Sequence, residues 1–174
     1  MEKPSTARIA LKWGLITAIL IIIYTVVLYM TGYFKNPSLS WLSFLLLVFG
    51  IFMALREFKS LNSGYMSFSE GLGVGTLMSA VTGLLSSIFS YIYINFIDTT
   101  IMQQMSDLQR EQMEERGLSS EQIDQAMELA AKFTSPGLIF LFGIIGYVLF
   151  GFIFSLIVSA IVKNTKPEVE FYFC

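Results

Sequence analysis

The 174-residue chain has no histidine and one cysteine, and only 14% of its residues are charged. Each scarcity removes a class of function. Without histidine there is no side chain of the commonest general-base type, of the commonest metal-ligand type, or with an ordinary titration near neutrality. The single cysteine is the final residue, Cys174. A lone thiol makes neither an intrachain disulfide nor a CxxC metal or redox site, and it stands too late for a prenylation box. Cys174 therefore reads as an incidental terminal thiol. The net charge is −2 and the basic residues form no long run, which excludes nucleic acid as a partner. A soluble domain carries roughly 25% charged residues, so this deficit must be balanced by another kind of surface.

What replaces charge is apolar length. Hydrophobic residues make up 55% of the chain and concentrate in four runs, Ile9–Tyr33, Leu39–Leu55, Ser69–Ile97 and Gly137–Val162. A helix crossing a hydrocarbon core of about 30 Å needs about 20 mostly apolar residues. Three runs exceed that length and the second sits at its lower limit. The expected architecture is all-α: one membrane domain over residues 1–174, a four-transmembrane-helix bundle. Lys3 and Arg8 precede the first run and Lys12 lies in its first turn, as the basic start of a signal peptide would. It is longer than a cleavable apolar region, however, and no small-residue cleavage site follows it. It is read as a retained helix.

Lys and Arg mark the cytoplasmic side of short loops. Lys3, Arg8, Lys12, Arg56, Lys59, Lys163 and Lys166 fall on one side. Lys35, Arg110, Arg116 and Lys132 fall on the other, the last three diluted in an acidic segment. Both termini are therefore expected in the cytoplasm and residues 98–135 outside it. Trp13, Tyr29, Tyr33, Trp41, Tyr91 and Tyr93 stand at the run boundaries, where aromatic rings prefer the headgroup level. Ending at Leu55, the second helix is expected to be short, with Arg56 and Lys59 snorkelling to the headgroups. The third is longer than a bilayer requires, so it tilts or continues past the surface.

Two features carry the packing and polar candidates. In the third run Gly71, Gly75, Ser79, Gly83 and Ser87 recur every four residues, a strip of small side chains along one helix face. Gly143, Gly151, Ser155 and Ser159 make a comparable track in the fourth run, interrupted by Tyr147. Small-xxx-small spacing lets backbones approach closely, so the third helix is expected to be the central packing element. The fourth is its expected neighbour, although the strip suits a second protomer equally well. The hydroxyls of Thr76, Ser79, Thr82, Ser86 and Ser87 have a second reading as a polar path. No run holds an internal proline or a mid-depth acid, which conducting pathways usually require. Ser67-Phe68-Ser69-Glu70 fits a capping box. Glu70 reads as the only acid at the edge of an apolar run. A cap is the adopted role for it, and an ion, proton or headgroup role is the alternative.

Residues 98–135 form the one sizeable polar segment, and it divides at Gly117. Apolar residues at helical spacing before it and a Ser119–Gln122 capping box after it predict two amphipathic helices joined by a tight turn. Ser135-Pro136 then opens the fourth membrane helix. Met105, Leu108, Met113, Ile123 and Met127 form the apolar stripe of this arm, a candidate partner-binding surface with adaptable methionine contacts. The acids of the arm follow helix-surface spacing and have no histidine or cysteine to complete a metal site.

Lys12-Trp13-Gly14 at the start of the first helix, and Tyr65…Phe68…Glu70-Gly71 leading into a Gly-rich third helix, carry a family resemblance. So do the charged segment after Tyr93…Asp98 and a Gly/Ser-rich fourth helix ending in lysines. This order resembles the domain of unknown function 4199, a family of small membrane proteins mainly from Bacteroidota. The resemblance covers most of the chain, leaving out the tail 171–174. It implies residence in a bacterial inner membrane and no particular activity.

No cofactor is expected, and an intramembrane enzyme lacks a nucleophile paired with a base or metal. The leading expectation is a non-enzymatic assembly unit or accessory subunit. Its partners would be membrane lipid and a second copy or another membrane protein. The alternative is a small oligomeric transporter, channel or lipid-handling protein.

Overall fold

The computed structural model describes residues 4–166. Lys3 and the tail 171–174 with Cys174 lie outside the described residues. The chain folds as α1 (Thr6–Thr31), the single-turn α2 (Pro37–Ser40), α3 (Leu42–Leu61), α4 (Phe68–Ile92), α5 (Ile101–Glu115), α6 (Ser120–Phe133) and α7 (Pro136–Val162). Among the described residues there is no strand, only an isolated bridge between Met66 and Asn164. Among the described residues, four helical spans are long and apolar enough to cross a membrane: Thr6–Thr31, Ser38–Leu61, Phe68–Ile97 and Pro136–Val162. At 1.5 Å per residue the first would measure about 39 Å, more than the hydrocarbon thickness. This is the pattern of a multi-pass membrane protein.

Helix ends follow local chemistry. The Ser5 hydroxyl accepts from the Arg8 amide at the start of α1, and Gly32 ends that helix at φ 73°, a left-handed position that glycine adopts without strain. Ser67 and Glu70 form the reciprocal capping box of α4. Ser135 caps α7, with proline at its first position. Beyond Ile92, α4 widens into a π-helical turn, Tyr93–Ile97, so it continues past its regular end.

The second span corrects the sequence-based boundary. It does not stop at Leu55: α3 runs on to Leu61. Arg, Glu and Lys are good helix formers, and two of these charges, Glu57 and Lys59, find partners. The Lys59 Nζ donates to the Val162 carbonyl at 3.0 Å. The Glu57 carboxylate accepts from Lys12 Nζ at 3.0 and 2.8 Å and from the Trp13 indole N–H at 2.6 Å. Glu57 also corrects the reading of Glu70 as the only acid at the edge of an apolar run.

The chain passes up through α1 and α4 and back through α3 and α7, so the described termini share one end and α5–α6 hangs at the other. We call these the terminal end and the arm end. The α4 helix packs most extensively on α7 and next on α1, while α3 touches α1, α7 and α4. Of the four spans α4 is the most buried and α7 the least. Leu47, Ile51, Ala54, Leu55 and Phe58 of α3 meet Val74 and Met78 of α4, with Ile9, Ala10 and Ile21 of α1 and Val158 of α7 completing the core.

The α4–α7 contact is a small-residue zipper. A methyl group built on Gly71 would lie 2.7 Å from Ser159 Oγ; on Gly83, 2.5 Å from Tyr147 Cβ; on Gly143, 2.7 Å from Ser87 Oγ. On Gly75 it would overlap Ser155, and on Gly151 it would overlap Ser79. Five layers thus stack with a step of four residues along α4 matched by four back along α7. The hydroxyls of Ser155 and Ser159 are buried and have no hydrogen-bond partner among the described residues, so these serines contribute small size. Helix α1 approaches α4 in the same way at Gly14, where an added methyl would sit 2.8 Å from Val81.

Two stability outcomes follow from this packing. Gly75→Leu or Gly83→Leu forces α4 and α7 apart and costs at least the roughly 1–3 kcal/mol typical of overpacking. Gly73→Leu, which meets open space, costs much less; thermal unfolding in detergent reports the difference. Glu57→Ala removes the tie between α1 and α3 and costs about 1–2 kcal/mol. Lys12→Ala costs less, because that side chain is 53% exposed. Denaturant titration in micelles ranks the two.

Candidate functional site

At the arm end, α5 and α6 fold back on each other. Gly117 turns the chain at φ 77°, and its N–H donates to the Glu114 carbonyl at 2.9 Å. The Ser119 hydroxyl then accepts from the Gln122 amide, while the Gln122 side chain accepts from the Ser119 N–H. Arg110 pairs with Asp124 at 2.9 Å across the hairpin. The apolar stripe read from the sequence faces largely inward. Ile123 is buried, Leu108, Met113 and Met127 are half-buried, and Met105 is exposed. The large apolar side chains that α6 leaves to its surroundings are Leu129 and Phe133.

Inside this roof the helices do not close. A cavity of about 290 Å³ lies among α1, α4 and α7, lined by apolar groups including Ile22, Phe89, Ile94, Ile139 and Phe140, with hydroxyls from Tyr29, Ser86, Ser87, Ser90 and Tyr147. A second cavity, of about 420 Å³, lies under the arm and includes Met102, Leu108, Gln109, Gln112, Met127 and Ala131. Met105, Thr134 and Ile139 line both, so the two adjoin. Neither lining contains an acid or a base. Several of their polar groups are spent on their own helices: Thr25 donates to the Ile21 carbonyl, Asn95 to that of Tyr91 and Thr134 to that of Ala130. Apolar walls with a few convergent polar groups are the usual make-up of a small-molecule site.

The residues proposed for packing, Gly71, Gly75, Ser79, Gly83 and Ser87 with Gly151, Ser155 and Ser159, are brought together in the zipper between α4 and α7. Two hydroxyls of the suggested polar path bond to backbone: Ser79 donates to the Gly75 carbonyl at 2.8 Å, and Thr82 lies 3.0 Å from the Met78 carbonyl and 3.2 Å from that of Gly14.

Glu70 sits apart from these cavities, at the terminal end. Its Oε2 accepts from the Ser67 N–H at 2.8 Å and the Ser67 hydroxyl at 2.9 Å. It borders a polar recess of about 220 Å³ with Asn62, Tyr65 and Lys166, where the Lys166 ammonium lies 5.6 Å from the Tyr65 ring centroid. No group of three or more metal-ligating side chains exists among the described residues.

Sequence reasoning missed Glu57 and the cavities. Glu57 pairs with residues 44 and 45 positions away, beyond any helical spacing rule. A usable signal was the Lys12-Trp13 pair, two donors at a membrane boundary facing a helix that carries an acid at its matching end. The cavities arise where hydroxyl and alkyl side chains of three helices fail to meet, which no local pattern encodes.

No curated protein and no solved structure matches the chain. The family model described as a protein of unknown function (DUF4199) matches residues 12–164. That range holds α3 to α6 entire, most of α1, and α7. With so nearly complete a match, the chain belongs to the DUF4199 family.

Proposed function

We propose that this is a non-enzymatic, multi-pass protein of a bacterial inner membrane that takes up a lipid chain beneath a periplasmic helical arm. One observation carries the reading: the adjoining cavities are apolar, uncharged, and set at the arm end of a bundle that offers its other surfaces to lipid. Water gains nothing there, whereas an acyl chain finds the environment it already occupies. The excess of Lys and Arg at the terminal end supports a cytoplasmic position for both termini and a periplasmic arm.

Assembly, the leading expectation from sequence, keeps weaker support. The small-residue strip lends none to a second protomer, because each of its members meets α7 of the same chain. What favours a protein partner is the exposure of Leu129 and Phe133 on α6. A transport role would centre on Glu70, whose carboxylate is engaged in a helix cap. Liposome flux compared between the native protein and Glu70→Gln separates that role from lipid uptake.

Two measurements test the proposal. Reporter enzymes fused at Gly117 should be active only as periplasmic fusions and those at Lys166 only as cytoplasmic ones; the reverse result overturns the orientation. Native mass spectrometry of protein extracted in mild detergent should show co-purifying lipid. Ser90→Phe, filling the cavity from a half-buried position, should lower its occupancy about tenfold or more, while Glu70→Gln leaves it unchanged. Equal lipid retention in Ser90→Phe, with the fold intact, removes the reading.

A further inference from the structure

A chain leaving a bilayer for an apolar cavity gains little, because lipid tails are as apolar as leucine. If the cavity selects a lipid, selection falls to the polar end. The second cavity leads to a third space of about 300 Å³, with which it shares Phe34, Leu108 and Gln112. There the chemistry changes: the lining gains Lys35, Ser40 and Trp41.

Lys35 is held in place without being consumed. It ends the single 3-10 turn Tyr33–Lys35 that follows Gly32. Its neighbour Phe34 is packed edge-on against Tyr29 at 5.7 Å, which anchors the turn to α1. The Lys35 side chain is exposed, and among the described residues no acid pairs with it. The other cations of this end differ. Arg110 is paired with Asp124, Lys132 lies 3.9 Å from Glu128, and Arg116 sits at the far tip of the hairpin beside Gly117. Trp41, 5.3 Å from Phe44, gives the same space an aromatic wall of the kind that settles at headgroup depth.

We propose that Lys35 and the space beside Trp41 form the headgroup subsite for an anionic, acyl-chain amphiphile. Its chain runs under the arm, past Leu108 and Met105, into the cavity among α1, α4 and α7. The proposal rests on the lipid reading above and adds the sign of the head, its location and the direction of the chain. A zwitterionic head carries its own cation, which Lys35 repels; an anionic head brings the missing counter-charge to a cation at the membrane surface. The shared chemistry, one acyl chain on an anion, belongs to an anionic phospholipid and to a free fatty acid alike.

The test uses the full-length protein in nanodiscs of equal parts phosphatidylglycerol and phosphatidylcholine, followed by release into detergent and native mass spectrometry. The native protein should retain phosphatidylglycerol in preference. Lys35→Gln should lower that preference about fivefold, the factor one surface cation provides, without lowering total lipid. A parallel arm adds oleate: displacement of the phospholipid assigns the site to fatty acids, and no displacement assigns it to phospholipid. Equal retention of the two headgroups by the native protein, or an unchanged ratio in Lys35→Gln, overturns the headgroup subsite. Ala131→Trp, at an exposed position lining the second cavity, should lower total lipid where Ser90→Phe proves unstable. If neither filling variant lowers it, the lipid reading itself has failed; if they lower it while Lys35→Gln changes nothing, only the headgroup assignment has.

Discussion

The rest of the structure hangs on how closely α4 and α7 approach. In lipid no hydrophobic force draws two apolar helices together, so the contact has to come from close packing. The chain meets this with five layers in which a glycine on one helix receives a serine, or in one layer a tyrosine, from the other. The pairing is complementary throughout: where α4 has glycine, α7 has a side chain, and where α4 has serine, α7 has glycine. This fixes α4 as the helix with neighbours on most sides. It also explains why α7, held along one narrow face, leaves Leu141, Phe142, Leu149, Phe152 and Ile157 exposed on the outside of the bundle.

Much of this was written in the local pattern. The four-residue spacing of Gly71, Gly75, Ser79, Gly83 and Ser87 is a property of one helix face, and such a face has little use except close contact. The caps at Ser67, Ser119 and Ser135 were legible for the same reason: a cap is a bond between residues three apart. The α3 boundary was not. Its last turn is polar, and whether polar residues continue a helix depends on partners supplied by other segments, here Lys12, Trp13 and the Val162 carbonyl. The inward turn of Leu108, Met113 and Met127 was equally hidden, because an amphipathic helix announces an apolar face without saying what covers it.

The two ends of the bundle differ in kind. At the terminal end the polar groups are drawn together. Met66 and Asn164 exchange backbone hydrogen bonds at 2.8 and 2.9 Å, the Asn164 side chain donates to the Gly64 carbonyl at 2.9 Å, and Glu57 gathers two donors from α1. At the arm end, the helices part around hydroxyls and alkyl groups. The terminal end is thus tied by polar contacts between elements, while the larger cavities open at the arm end.

Tyr147 has a mechanical consequence. It is the one large side chain in the zipper, seated against Gly83. Sliding α7 by one turn in either direction would set its ring against Ser79 or Ser87 and leave two glycines facing each other across a void. The tyrosine therefore acts as a detent that fixes the vertical alignment of the two helices. A one-turn slide of α7 along α4 is thereby opposed by packing.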